Sequence, residues 1–244
     1  MCTLIAAYRQ FDGFPLVVAA NRDEWLDRPA SPPSKWANEG FVAPRDEVAG
    51  GTWLGLTATG MFVGVTNRFG VPKDHARASR GTLVVEALRQ STAAKLHQAL
   101  QTLSPTRFNA FHLLYADAQG AYVTWSDGSL LHQQTLAPGV HIVTERSLGG
   151  DDKARTELIQ TEWRKLAGRL PTPQELQALM RLHGSEPLGG TCTHVPAFGY
   201  FTRSSMVLYL ADAPERSRFF WAEGQPCQTP YEERTELLDL LARG

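Results

Sequence analysis

The chain has 244 residues, 43% of them hydrophobic and 20% charged, with a formal net charge of −1. That balance suits a soluble globular protein and sets aside nucleic acid and anionic membranes as principal partners, since either calls for a basic patch. There is no run of about 18 apolar residues of the kind a membrane span needs, no secretory signal, and only three scattered cysteines, Cys2, Cys192 and Cys227, so the expectation is a cytoplasmic protein with reduced thiols.

Residues 3–9 and 15–20 are short apolar runs separated by Asp12-Gly13, a turn signal, and predict a β-hairpin. "EWLDRPASPPSKW" follows, with Pro29, Pro32 and Pro33. Prolines at that density keep a segment out of central strands and helix interiors, so it is expected on the surface, pinned by Trp25 and Trp36. Gly50–Gly70 reads as a second hairpin turning at Thr59-Gly60, and residues 79–103 show the spacing of helices with one buried face. Strands are expected at Phe108–Ala116, Ala121–Ser126, Ser129–Thr135 and Val140–Thr144, two of them linked by Asp127-Gly128. Residues 152–182 read as helical with a break at Leu170–Pro173, after which Thr172, Pro173 and Glu175 spell a helix start. Strands at Ser204–Ala211 and Ser217–Ala222 and a final amphipathic helix over 231–242 complete the order. No break or repeat divides the chain. The pattern predicts one α+β domain over 1–244, with mainly antiparallel sheets and helices outside.

Phosphate-loop, HExxH, CxxC and GxSxG signatures are absent. The seven histidines, at 75, 97, 112, 132, 141, 183 and 194, have no metal-ligand spacing, and no metal site or cofactor is expected. Cys192-Thr193-His194 is the one pair with a metal or haem reading. Cys2 stands out by position. Removal of Met1 would place a thiol and a free α-amine on one residue, and an amine with a pKa near 8 can take the thiol proton. Asn21-Arg22-Asp23-Glu24 ends the second apolar run, and hairpin counting sets Asp23 level with Cys2 or just past it. A carboxylate there would orient the amine, and Arg22 would lower the thiol pKa. Asn67 ends another strand and offers an amide for an oxyanion.

Met-Cys-x-Leu, Asn-Arg-Asp-Glu, "GGTWLGL…G…TNR" and a late "TRSS" together resemble the NRDE family, also called the transport and Golgi organization protein 2 family. The resemblance implies a four-layer αββα sandwich of the N-terminal-nucleophile hydrolase kind, with choloylglycine hydrolases and penicillin V acylases as cousins. It implies a catalytic set of Cys2, Asn21, Arg22, Asp23 and Asn67, and the two hairpins, each ending in polar residues after an apolar strand, predict that Cys2, Asn21, Asp23 and Asn67 converge on a pocket partly roofed by the Pro29–Pro33 segment. The cousins' arginine falls on Ala20, leaving Arg22 as its substitute, and their second oxyanion asparagine falls near Thr144 and Glu145. Trp25, Arg68 and Glu145 are the expected substrate-binding residues. The activity implied is cleavage of a C–N amide of a small molecule through an acyl-enzyme. The alternative is a non-catalytic carrier or chaperone with haem or an acyl lipid as its ligand, and a third reading is a domain acting through partners alone. Oligomeric state stays open.

Overall fold

The computed structural model describes residues 2–148 and 153–243. Strands β1 (Cys2–Phe11) and β2 (Phe14–Trp25) open the chain, followed by β3 (Ala30–Lys35), β4 (Phe41–Asp46), β5 (Leu54–Thr57) and β6 (Phe62–Asn67). Helices α1 (Arg80–Leu88) and α2 (Ala93–Leu100) lead to β7 (Phe111–Ala116), β8 (Ala121–Ser126), β9 (Leu131–Thr135) and β10 (Gly139–Val143). Then come α3 (Lys153–Arg164), α4 (Pro173–Met180), the two-residue β11 (His194–Val195), β12 (Tyr200–Leu210), β13 (Arg218–Ala222) and β14 (Glu232–Glu233). A 3₁₀ helix over Thr235–Arg243 ends the described chain.

The strands form two antiparallel sheets. One runs β10-β1-β2-β12-β13-β14 with β11 on β12, and the other is the meander β3 to β9. Helix α1 packs on β5 and β6 and α2 on β8, while α4 packs on β2 and β12 and α3 against α4. The α+β class with antiparallel sheets and outer helices, expected from the hairpins, and the αββα order implied by the family resemblance are the observed ones. Its cause is visible in the alternation of β1 and β2. Leu4, Ala6, Tyr8, Leu16, Val18 and Ala20 enter the core between the sheets, and Ile5, Ala7, Val17 and Ala19 enter a second core under α3 and α4. A strand buried on both faces needs apolar residues at every position, which these two runs supply.

Several expected elements take a different form. The proline-rich segment is the edge strand β3, paired to β4 with a register shift between Ser31 and Ser34; only an edge tolerates prolines that lack an N–H. The helical stretch 79–103 is two helices, each with its own cap, Ser79 and Thr92. In the 152–182 stretch, Asp152 lies outside the described residues, and the start of α4 carries the capping box read from Thr172 and Glu175. The final helix begins later than expected and is 3₁₀. Phe220 and Trp221 pair with Glu233 and Glu232, and Arg234 N donates to Phe219 O at 2.7 Å, so sheet bonds claim the residues of its first turn.

A candidate active site at Cys2

Cys2 opens β1 in the interior of its sheet, directly opposite Arg22 on β2, with Thr3 opposite Asn21. Period-2 alternation therefore splits the Asn-Arg-Asp-Glu run between two faces. Arg22 lies on the same face as Ala20, two residues away, and on the same face as Cys2, so it can stand in for an arginine at position 20. Asn21 and Asp23 belong to the other face.

Cys2, Arg22, Asp23, Trp25 and Asn67 all line one cleft of about 550 Å³ at the end of the sandwich. Its far wall is the segment 73–81, and Gly51 and Gly81 cross beside it so closely that a Cβ on Gly51 would stand 2.4 Å from the Gly81 carbonyl carbon. Trp25, 48% exposed, forms the rim with Tyr200, edge to face at 5.3 Å. The Pro29–Pro33 segment does not roof the cleft; its pairing to β4 draws it to the sheet edge, and Trp25 and Arg28 stand at the rim instead.

Arg22 is buried and donates from Nη2 to Asp46 at 3.1 Å and to Glu24 at 3.4 Å. Arg28 shares Asp46 at 2.8 Å; against the upward push of burial, this bond holds the Asp46 carboxyl below the usual range. Arg22 Nη1 is buried without a hydrogen-bond partner among the described residues. Asp23 reaches the cleft at the end of β2 while its carboxylate turns to the other face of the sheet, accepting from Thr202 Oγ1 at 2.6 Å and Thr193 Oγ1 at 3.1 Å. Burial raises its carboxyl pKa, opposed by the Arg155 charge and these hydroxyls. Cys2 does not show the lowered thiol expected from its neighbours. Burial pushes it up to about 11, outweighing Arg22 and a main-chain hydrogen bond from Asp23.

Three expected residues leave the cleft. Asn21 donates from Nδ2 to Met180 O and Thr191 O, at 2.9 and 2.7 Å, and so ties β2 to the segment around α4. Arg68 turns away from the cleft. Its Nη1 lies 2.9 Å from His112 Nε2, and because a guanidinium only donates, His112 accepts there and carries its proton on Nδ1. That Nδ1 meets Thr66 Oγ1 at 3.1 Å, and Thr66 donates to Thr144 O at 3.2 Å. Burial and the Arg68 charge push His112 down to about 4, so it stays neutral. Glu145 is buried against Arg155 at 3.1 Å and does not line the cleft.

Arg155 is the residue the sequence did not reveal. It sits on α3 with its side chain 1% exposed and donates to Glu145, to Thr3 Oγ1 at 3.3 Å and to Leu188 O. Its signal was weak, a lone arginine in an amphipathic helix, and its meaning depends on two buried carboxylates, Asp23 and Glu145, brought to it from other elements.

The sequence profile of the Transport and Golgi organisation 2 family matches residues 1–186. A Transport and Golgi organization protein 2 homolog from Homo sapiens is 26% identical over 159 residues, which are 64% of this chain and 55% of that protein. The Bos taurus homolog is 27% identical over 163 residues with the same coverage. The chain thus spans about half the length of these relatives. Among solved structures, a Caenorhabditis elegans N-acylethanolamine-hydrolyzing acid amidase ortholog superposes with a TM-score of 0.58 over 93% of this chain and 98% of its own, at 13% identity. A variant of the conjugated bile acid hydrolase from Clostridium perfringens gives 0.54 over 96% and 93%, at 11% identity. At such identities the likeness is one of fold.

Proposed function

Since this chain belongs to the Transport and Golgi organisation 2 family, on a fold shared with hydrolases of acyl amides, we propose that it cleaves a C–N amide with Cys2 as nucleophile, unmasked by removal of Met1. One observation supports this above the rest: Cys2, Asp23, Arg22 and Asn67, from three strands, line a single cleft. In the processed chain the α-amine takes the thiol proton as sulfur attacks the carbonyl carbon. Asn67 donates to the oxygen that becomes negative, and Arg22 Nη1 supplies a further donor. The C–N bond then breaks, the amine leaves with the proton, and water splits the thioester to give a carboxylic acid and restore the thiol. Burial holds the Cys2 thiol up, which favours a thiol that keeps its proton until substrate arrives. Asp23 and Glu145 share one buried guanidinium, so the ammonium formed as the α-amine takes the thiol proton would be balanced by the second carboxylate.

A carrier for haem or an acyl lipid on the same fold is the second reading. It is favoured by Glu145, which by resemblance falls near the position of the cousins' oxyanion amide and is locked to Arg155 outside the cleft. Intact mass and trapping separate the two. The hydrolase reading expects a chain lacking Met1, one electrophile adduct at Cys2 formed faster than at Cys192 or Cys227, loss of that adduct in Cys2→Ala, and release of amine from N-acyl amides. A chain that keeps Met1, or an N-terminally extended chain that labels at the same rate as the processed one, would sink it and leave the carrier.

A further inference from the structure

Where β11 joins the sheet that carries Cys2, the fold gathers four side chains whose sequence spacing hides them. His183 follows α4, Cys192 and His194 lie at the approach to and start of β11, and Cys227 lies in the turn after β13. One ligand atom from each, two imidazole nitrogens and two sulfurs, all lie within 4.8 Å of one another. Cys227 Sγ is 3.2 Å from His194 Nε2, and the rings of His183 and His194 meet edge to face at 4.8 Å. A tetrahedron with Zn–S near 2.3 Å and Zn–N near 2.0 Å has edges of about 3.3 to 3.8 Å. The four atoms reach it by side-chain movements of about an ångström.

We infer that His183, Cys192, His194 and Cys227 form a tetrahedral binding site for a zinc-type divalent cation. Two thiolates and two imidazoles are the donor set of structural zinc, and they disfavour magnesium and calcium, which take oxygen. The backbone is shaped to bring the ligands together. A Cβ on Gly190 would stand 2.7 Å from His183 Cα, so only glycine lets the loop fold back to set His183 beside Cys192. Cys192 N donates to Leu182 O at 2.9 Å, and Thr191 Oγ1 donates to Leu179 O at 2.6 Å. Cys192 is buried, His194 and Cys227 are half-buried and His183 is exposed, which gives a cation a path in from solvent. A disulfide between Cys192 and Cys227 would leave the two histidines without a role.

The site also braces the cleft. Thr193, between two of the ligands, donates to Asp23 Oδ2, and Thr191 O accepts from Asn21. Bound metal would therefore fix the segment that positions Asp23.

The test uses the full chain, reduced and stripped with a chelator, then titrated with Zn²⁺ and with Co²⁺ in the absence of any substrate, so that its outcome is independent of the hydrolase reading. Expected are one equivalent of metal per chain, thiolate-to-cobalt charge transfer with the d–d bands of tetrahedral Co²⁺, and a melting temperature that rises with Zn²⁺. Cys227→Ser and His183→Gln, both outside the core, should weaken Zn²⁺ binding at least about a hundredfold, more than loss of a residue behind a ligand does. Cys2→Ser should bind as tightly as the parent chain. Absence of the tetrahedral cobalt spectrum, or unchanged affinity in both Cys227→Ser and His183→Gln, overturns the inference. So does a Cys192–Cys227 cross-link in the purified chain that, once reduced, takes up no metal.

Discussion

Arg22 and Arg155 lie on opposite faces of the β1–β2 hairpin at nearly equal depth, their side chains 6% and 1% exposed. Arg155 projects from helix α3 into the packed layer and meets Glu145, Thr3 and the Leu188 carbonyl. Arg22 meets Asp46 and Glu24 at the mouth of a cleft and keeps Nη1 without a hydrogen-bond partner among the described residues. The same side chain is thus a strut on one face and, under the proposed function, an anion receptor on the other. What differs is the layer above it: packed helix in one case, open cleft in the other.

The largest expected effect follows from that contrast. Arg155→Ala strands the buried Glu145 and weakens compensation of Asp23, and should cost about 3–5 kcal/mol in urea unfolding. Replacing the pair together, Arg155→Met with Glu145→Leu, should regain only part of the loss, because Glu145 no longer carries a stranded charge while Asp23 still lacks the guanidinium. Arg22→Ala should cost much less, since water enters the cleft to solvate Asp46. Equal costs for Arg22→Ala and Arg155→Ala would break the comparison.

Arg68 extends it to a third environment, where the partner is a neutral histidine. His112 is held down to about 4, so an unfolded chain binds this proton from about pH 6.5 downward while the native one does not. Stability from this site is complete above pH 6.5 and is lost as pH falls toward 4, by up to about 3 kcal/mol. Subtracting the stability profile of His112→Gln from that of the parent chain should isolate this slope. Identical profiles would show that His112 titrates freely beside Arg68.

A smaller effect sharpens the receptor side. If Arg22 Nη1 serves anions, Cys2 should prefer iodoacetate over iodoacetamide, and Arg22→Gln should reduce that preference severalfold, a change of about 1 kcal/mol. An unchanged ratio would make Arg22 a strut as well. The smallest effect is the exposed limit. Arg89 pairs with Glu39 by a bidentate contact at the surface, and Arg89→Ala should leave the urea midpoint all but unchanged in the same assay, since solvent screens the pair.

Much of the frame was legible along the chain. Apolar runs around Asp12-Gly13 placed Cys2 beside Arg22 and Asp23, because an antiparallel hairpin converts distance from its turn into register. Thr172, Pro173 and Glu175 announced α4, because a capping box is built from adjacent residues. Asn67 was legible as the polar end of an apolar strand, and the structure lines the cleft with it.

Tertiary structure decided the rest, since each remaining feature joins segments that local periodicity does not connect. Asn21 and Arg68 carry the right chemistry in the right run, yet they face Met180, Thr191 and His112 because sheet order and layering set which neighbour each side chain meets. Glu145 acquired its meaning from Arg155, and Arg155 from Thr3. Cys227 reaches His194 only because β13 lies beside β12, and β12 beside both β2 and β11. A sequence encodes caps, turns and the two faces of a strand within a few residues. Which faces meet across layers is set by how the whole chain buries its apolar surface.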